Sequence, residues 1–445
     1  MFIFPQDLYC DVRIERKFST SISFLKEKLE NFVERATEGA FIRIFDGNMW
    51  YYSATTSILD IQKEIDSLSH LCSSNSFILE NSTVKKFQVN KEKVDKFIDN
   101  DVRKISSDKK MNLVKCYINL FSLRPYIKMW NAHYEENHTT MEFYSSSGSD
   151  LTWTNQSCGL RYSFNLAEND KKFNDSYSFG ANCFTELENL EGEISKYIDE
   201  AYDFMKNAKD IKPGKYCVIL SPLAAGIFAH ESFGHKSESD FMIGDEKMKK
   251  EWAIGKKVGS SILSIVDDGQ EMGVGYTPYD DEGSFSEKTY LIKDGILSGR
   301  LHSVLTASKL EENPTGNARA ISFMYEPIVR MTTTYIDKGD KTKEQLFSEV
   351  KEGIFIDTIK HGSGLSTFTL APSRAYYMKD GKIEYPVNVA VITGTVFETL
   401  NRIDGLSDKV KLLSFVGGGC GKMEQAPLPV GFGGPFVRVS QMDVM

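Results

Sequence analysis

The sequence predicts an α+β fold: a mixed α/β N-terminal domain over residues 1–211, then a strand-rich C-terminal domain over residues 212–445 that carries a metal-binding helix. Three observations lead there. The 445 residues exceed what one hydrophobic core usually serves, so two domains are expected. Apolar spacing alternates between helical and strand-like periods in the first half and is dominated by short strand-like runs in the second. Between the halves, Lys212-Pro213-Gly214 stops a long helical pattern with two strong breakers.

From the N-terminus, Thr20 to Arg35 places Phe24, Leu25, Leu29, Phe32 and Val33 on one helical stripe, so a helix is expected. Ala40 to Phe45 and Met49 to Ser53 read as strands joined by the turn Asp46-Gly47-Asn48. Ile58 to Cys72 and Lys91 to Lys104 are expected helices, and Tyr126 to Leu166 an antiparallel meander turning at Ser145-Ser146-Ser147-Gly148. Leu187 to Ala208 is a long helix. The second half opens on a buried strand, Tyr216 to Leu220, followed by a helix. Asp294-Gly295 joins strands Thr289 to Lys293 and Ile296 to Leu301, and Asp380-Gly381 joins Ala375 to Lys379 and Lys382 to Tyr385. Lys343 to Lys351 is an intervening helix, and Phe436 to Val439 a last short strand.

A formal net charge of −9 argues against a nucleic-acid partner, which usually requires a basic face. The longest apolar run, Cys217 to Ala229, is interrupted by Ser221 and Pro222 and falls short of the ~20 residues of a membrane span. With no basic leader after Met1, a cytoplasmic protein without a membrane partner is expected. The seven cysteines include no Cys-x-x-Cys pair, so most are expected to be small buried side chains rather than a disulfide framework.

The most informative stretch is Ala224 to His235, which contains His230-Glu231-x-x-x-His235. Two imidazoles one turn apart hold a divalent cation; the cation lowers the pKa of a coordinated water, and a neighbouring Glu takes its proton. The familiar spacing is i, i+4. Here it is i, i+5, which on a regular helix separates the two side chains by about 140°. A local π-type widening is therefore expected at His230–Gly234, with Gly234 easing the distortion.

Glu238, Asp240, Glu246, Glu251, His302 and Cys420 are candidates for a third ligand. Cys420 lies in Val416-Gly-Gly-Gly-Cys420-Gly-Lys422, where the glycines let the backbone approach another element or a peptide. The run is not a phosphate loop, because Val416 and Met423 stand where that motif needs Gly and Ser or Thr. Cys420 is equally readable as a buried Cys on a tight turn, or as a nucleophile paired with a His in a cysteine hydrolase. Asp267-Asp268 and Asp280-Asp281-Glu282 read as surface turns.

The second half resembles the TldD/PmbA peptidases, specifically the TldD-like members that keep the metal motif. The resemblance rests on Ser221-Pro222-x-Ala-Ala-Gly-x-x-x-His230-Glu231-x-x-Gly234-His235, Val266-Asp267-Asp268-Gly269, Asp281-Glu282-Gly283, Pro314-Thr315-Gly316-Asn317 with Arg319, Arg330-Met331-Thr332, and Cys420-Gly421-Lys422 followed by Pro429-Val430-Gly431. It implies a zinc peptidase of small or unfolded peptides, including leader peptides. His230, His235 and Cys420 would ligate Zn2+, with Glu231 as general base. It also implies a dimer, either of two copies or with a TldE-type subunit that lacks the metal motif. A third reading is a non-catalytic scaffold subunit, against which the intact His230, Glu231 and His235 argue. Gly418, Gly419 and Gly421, with Arg319 and Arg330, are the candidate substrate-binding residues. The segment His361 to Phe368 departs from the family pattern, which leaves the substrate open.

Overall fold

A computed structural model describes residues 2–364 and 366–445. Met1 and Leu365, the latter inside the segment that departs from the family pattern, lie outside the described residues. The first half is built on one sheet formed by β1 (Tyr9–Leu25), β2 (Lys28–Phe45), β3 (Trp50–Thr55), β4 (Lys91–Val94), β5 (Ile127–Ser145), β6 (Asp150–Glu168) and β7 (Lys171–Ala181). Its order is β3-β2-β1-β5-β6-β4, with β7 also paired to β6. Three helices cover it: α1 (Ile61–Ser69), α2 (Ser107–Ser122) and α3 (Glu191–Asn207). Ile61, Ile65 and Leu68 of α1 pack on Val12, Ile14, Ile42 and Ile44. Val114, Tyr117, Ile118 and Phe121 of α2 and Ile194, Ile198 and Ala201 of α3 share a core with Tyr134, Leu160, Tyr162 and Phe164.

Two expected helices do not form. Thr20 to Arg35 straddles the β1–β2 hairpin, which turns at Lys26 with φ 54°. The alternation of Thr20, Ile22 and Phe24, all buried, governs, whereas Leu25, Leu29 and Phe32 of the supposed helical stripe are exposed. Lys91 to Lys104 begins as β4, parallel to β6, and ends in a single 3₁₀ turn, Val102–Lys104, capped by Asp101. The turn formers Asp95 and Asp99-Asn100-Asp101 outweigh its helical spacing. Helix α2, absent from the expectations, carries an N-cap at Ser106 whose side chain accepts the Lys109 N–H.

The second half starts with β8 (Lys209–Asp210) and β9 (Gly214–Leu220). Strand β9 lies between Glu352–Gly364 and Val437–Val444. The sheet continues through Ile392–Thr395, Thr367–Lys379 and Lys382–Asn388 to β8, and Glu352–Gly364 also pairs with Thr367–Lys379, so five strands close into a ring. Both predicted Asp-Gly hairpins form, with φ of 51° and 78° at Asp294-Gly295 and 47° and 78° at Asp380-Gly381. A second sheet runs Ile296–Leu297, Thr289–Lys293, Ile265–Asp267, Thr333–Ile336, Gly431–Gly434, Lys411–Leu413.

Helix α4 (Pro222–Ala229) contacts Glu352–Gly364 of the first sheet and Thr333–Ile336 and Gly431–Gly434 of the second. A helix enclosed this way must be apolar all round and slim, which explains Ala224, Ala225, Gly226 and Phe228. At Gly226 a Cβ would lie 2.5 Å from the Gly433 nitrogen, so only glycine permits this approach of two backbones.

The acidic clusters are internal rather than surface turns. Asp267 accepts from the Thr332 N–H and hydroxyl, the Thr334 hydroxyl and the Asn317 amide. Asp280 accepts the N–H groups of Glu282, Ser284 and Ala318. Asp281 pairs with Arg13 at 3.0 Å and Glu282 with Arg43 at 2.8 Å, which ties the second half to β1 and β2. All seven cysteines are free, but only Cys10, Cys158 and Cys420 are buried, fewer than expected. Among the described residues no helix is long and apolar enough to cross a membrane.

Candidate metal centre

Strand β9 delivers the chain to Ser221, whose hydroxyl donates to the Asp357 carbonyl at 2.6 Å and accepts the Ala224 N–H at 3.1 Å. That cap, with Pro222 in the first turn, fixes the start of α4. The helix then widens into one π-turn over His230–Gly234, as the i, i+5 spacing requires. Its effect is to bring the His230 and His235 rings to 5.0 Å, nearly perpendicular at 81°. Gly234 plays a different part from the expected one. Its backbone is ordinary right-handed helix, and a Cβ there would lie 2.1 Å from Met331 Sδ, so it makes room for a side chain.

Cys420 opens the short strand Cys420–Lys422, which pairs with Gln425–Leu428. Its sulfur lies 3.5 Å from His235 Nε2, and the donor atoms of His230, His235 and Cys420 all lie within 4.8 Å of one another. Glu246, Glu251 and His302 are not part of this group; His302 is buried against Glu312 at 2.9 Å.

Arg319 and Arg330, expected at the substrate, are buried and spent on the backbone. Arg330 donates to the Cys420 carbonyl at 2.6 Å and the Gln425 carbonyl at 3.0 Å, and Arg319 to Met331 and Pro429 at 2.6 and 2.9 Å. Guanidiniums carry a fork of donors, which suits them to pin a hairpin of unsatisfied carbonyls. The N-terminal sheet grips the same loop: Gly180 donates its N–H to the Ser414 carbonyl at 2.8 Å, and a Cβ on Gly159 would meet Val416 at 2.7 Å.

A cleft of about 2230 Å³ runs between β6, β7 and α3 on one side and the C-terminal half on the other. His230, Glu231, His235, Gly418, Gly419 and Gly421 line it together with Cys420. Gly418 has open space where a Cβ would stand, whereas Gly419 backs onto Leu428. Glu231 sits beneath Glu352–Gly364, where Gly362 and Gly364 leave room for it: a Cβ at those positions would come within 3.2 Å of its Cγ and 3.1 Å of its carbonyl.

Burial holds the His230 imidazole neutral, its pKa pushed down to about 3, with His235 and Arg330 adding repulsion. Burial also disfavours a charged His235, but hydrogen bonds to Cys420 and Glu238 outweigh it and lift the pKa to about 10. The Glu231 carboxyl is raised by burial and partly restored by His235. His230 Nδ1 is buried without a hydrogen-bond partner, which leaves a nitrogen lone pair or N–H unsatisfied. Two imidazoles and a thiolate form a borderline-soft, three-donor set with an open side, which fits zinc.

Two residues at this centre carry no assignment from sequence. Glu238, weighed only as a third ligand, is fully buried and places Oε2 3.3 Å from His235 Nδ1. Lys422 contacts Glu238 at 3.1 Å and both Asp240 oxygens at 2.7 Å. The alternation of a strand is the signal for Lys422: two residues after Cys420, it shares that residue's face.

A strand-rich domain presenting two His and a Cys to one cleft defines a class of metallopeptidase domain, and comparison with known sequences places the chain within it. Residues 213–445 match the PmbA/TldA metallopeptidase C-terminal domain, and residues 10–76 match domain 1 of the same group. The chain belongs to the TldD/PmbA metallopeptidase family. It is 28% identical to a metalloprotease of Synechocystis sp. over 98% of this chain and 94% of that protein. It is 26% identical to a zinc metalloprotease TldD homolog of Saccharolobus solfataricus over 98% and 96%. A solved chain of Thermotoga maritima shares the fold with TM-score 0.78 at 20% identity, covering 98% of this chain and 96% of that one. TldE of Thermococcus kodakarensis shares it with TM-score 0.74 at 14% identity, over 98% and 96%.

Proposed function

We propose that this chain is a zinc-dependent peptidase of small or unfolded peptides, with processing or degradation of peptide leaders among its uses. The observation that carries the reading is the convergence of His230, His235 and Cys420 within 4.8 Å beside Glu231 in an open cleft. His230, His235 and Cys420 would hold the ion, which when bound polarises a carbonyl and acidifies water. Glu231 is the general base: burial raises its affinity for a proton, so it accepts one readily and can return it to the leaving amine. The exposed backbone of Gly418 offers hydrogen-bonding groups to an extended peptide, as an added strand does. A cleft of this size suits an extended chain better than a compact ligand, since small-molecule pockets run to roughly 300–1,000 Å³.

The 3.5 Å contact between the Cys420 sulfur and His235 Nε2 is also that of a thiol nucleophile and its base, the alternative cysteine-hydrolase reading. The unsatisfied His230 beside the pair favours the metal reading, because a Cys–His couple has no use for a second buried imidazole. An intact donor set supports a catalytic chain over a scaffold subunit. We further infer a dimer, of two copies or with a TldE-type subunit, which native mass spectrometry of the particle distinguishes. Elemental analysis is the direct test: about one zinc per chain is expected. Metal-free protein with full peptidase activity would refute the reading.

A further inference from the structure

His235 is held at both ring nitrogens by one short strand. Strand Cys420–Lys422 presents its first and third side chains to the same side. The first, Cys420, meets Nε2 directly. The third, Lys422, reaches the far side of the ring through Glu238, whose Oε2 lies 3.3 Å from Nδ1 and 3.1 Å from Lys422 Nζ. Glu238 has no solvent exposure, and Lys422 is only 6% exposed. A carboxylate so placed is strongly disfavoured by desolvation unless a cation compensates it. Lys422 is fixed in turn by Asp240 at 2.7 Å, by the Val329 carbonyl at 2.8 Å and by the Phe241 ring at 4.5 Å. Its ammonium therefore has one location, set by three partners besides Glu238.

We propose that Lys422 is a positioning residue for the metal centre: by compensating the buried Glu238 carboxylate it fixes the orientation and tautomer of His235, directing Nε2 at the site while Nδ1–H donates to Glu238. The proposal rests on the zinc reading above. Because Cys420 and Lys422 are two residues apart, the same strand sets the thiol and the imidazole in mutual register. A carboxylate behind a ligating imidazole fixes its ring and raises its basicity, and loss of such a partner costs about 10–100-fold in metal affinity.

The test uses the full-length protein and Co2+ as a spectroscopic probe. Wild type, Lys422→Arg, Lys422→Met, Glu238→Gln and the double variant Lys422→Met/Glu238→Gln are titrated, with circular dichroism checking each fold. Lys422→Met is expected to weaken Co2+ about 10–100-fold and to alter the d–d envelope of the bound ion. Lys422→Arg is expected to restore most of both. The double variant is expected to bind no worse than Glu238→Gln alone, because Lys422 acts through Glu238. A Lys422→Met protein that is folded and has wild-type affinity and spectrum overturns the proposal while leaving the zinc reading intact. So does a double variant whose loss is the sum of the two single losses. Should Lys422→Met fail to fold, Lys422→Arg and Glu238→Gln decide: unchanged Co2+ affinity and spectrum in Glu238→Gln overturns the proposal. Wild type that binds no Co2+ overturns the zinc reading, and the positioning role with it.

Discussion

Replacing Gly226 by Ala tests whether α4 is held by backbone contact or by ordinary side-chain packing. Helix propensity alone predicts a gain of about 1 kcal/mol, since Gly is that much poorer than Ala in a helix interior. The structure predicts the opposite sign. The new Cβ would lie 2.5 Å from the Gly433 nitrogen, 2.7 Å from its Cα and 2.9 Å from Phe432 Cδ2. Gly433 cannot withdraw, because Gly431–Gly434 is hydrogen-bonded to Thr333–Ile336 on one side and Lys411–Leu413 on the other. Overpacking usually costs about 1–3 kcal/mol, and contact with backbone rather than a mobile side chain belongs at or above the top of that range. After the propensity gain, Gly226→Ala should be destabilised by about 2 kcal/mol or more. Gly192→Ala in α3, where nothing lies within 4 Å of the new methyl, should be neutral or stabilised by up to about 1 kcal/mol. Urea denaturation followed by tryptophan fluorescence reports on this core, since Trp252 is wholly buried in it beside Phe233. A Gly226→Ala midpoint at or above that of wild type would show that the two backbones are not in obligatory contact.

Glu231→Gln should keep the fold and bound metal while lowering turnover by about 10²–10⁴, the usual worth of a positioned general base; retained activity in metal-loaded protein assigns that base elsewhere. Cys420→Ala should lose metal and activity together, and in wild type Cys420 should resist alkylation until a chelator is added. Equal labelling with and without chelator, read by peptide mapping, would favour a free thiol. Asp46 gives a pH prediction. Burial alone would raise its pKa, but the N–H groups of Asn48, Met49 and Ser73 and the Tyr51 hydroxyl lower it below the ordinary carboxylate value. A group depressed in the folded state stabilises above its unfolded pKa and loses that contribution as pH falls through the folded one. Asp46→Asn should therefore flatten the decline of stability below about pH 4; an unchanged acid limb in denaturation at several pH values would count against it.

The parts of the centre that were legible from sequence are the local ones. The i, i+5 spacing of His230 and His235 demands a widened turn, because a regular helix cannot bring both rings together, and that turn is present. Asp294-Gly295 and Asp380-Gly381 announce their hairpins through left-handed backbone that few other pairs adopt. Ser106 with Leu113, Val114, Tyr117, Ile118 and Phe121 carries an equally clear helical pattern, a capped start followed by one apolar stripe. Thr20 to Arg35 misled because Leu25, Leu29 and Phe32 satisfy helical spacing by chance on a hairpin exposed along much of its length. What spacing cannot supply is the meeting of distant segments. Nothing between positions 235 and 420 dictates that Cys420 rather than Glu238 or Asp240 completes the donor group with His230 and His235. Likewise, Arg319 and Arg330 look like ligand-binding residues until the carbonyls they serve are in place.

That separation shapes the order in which the molecule matures. His235 and Cys420 are 185 residues apart. At chain-elongation rates of about 5–20 residues per second, roughly 10–40 s pass between the appearance of the two imidazoles and that of the thiol. For most of that interval the apolar helix α4 lacks Glu352–Gly364, and for all of it Gly431–Gly434, to lie against. A newborn chain thus exposes an apolar helix and an incomplete His–His–Cys cluster simultaneously, and the arrival of the last strands finishes covering the one and completes the other. Truncation shortly before Cys420 would leave an aggregation-prone chain in which His230 and His235 lack the third member of their cluster.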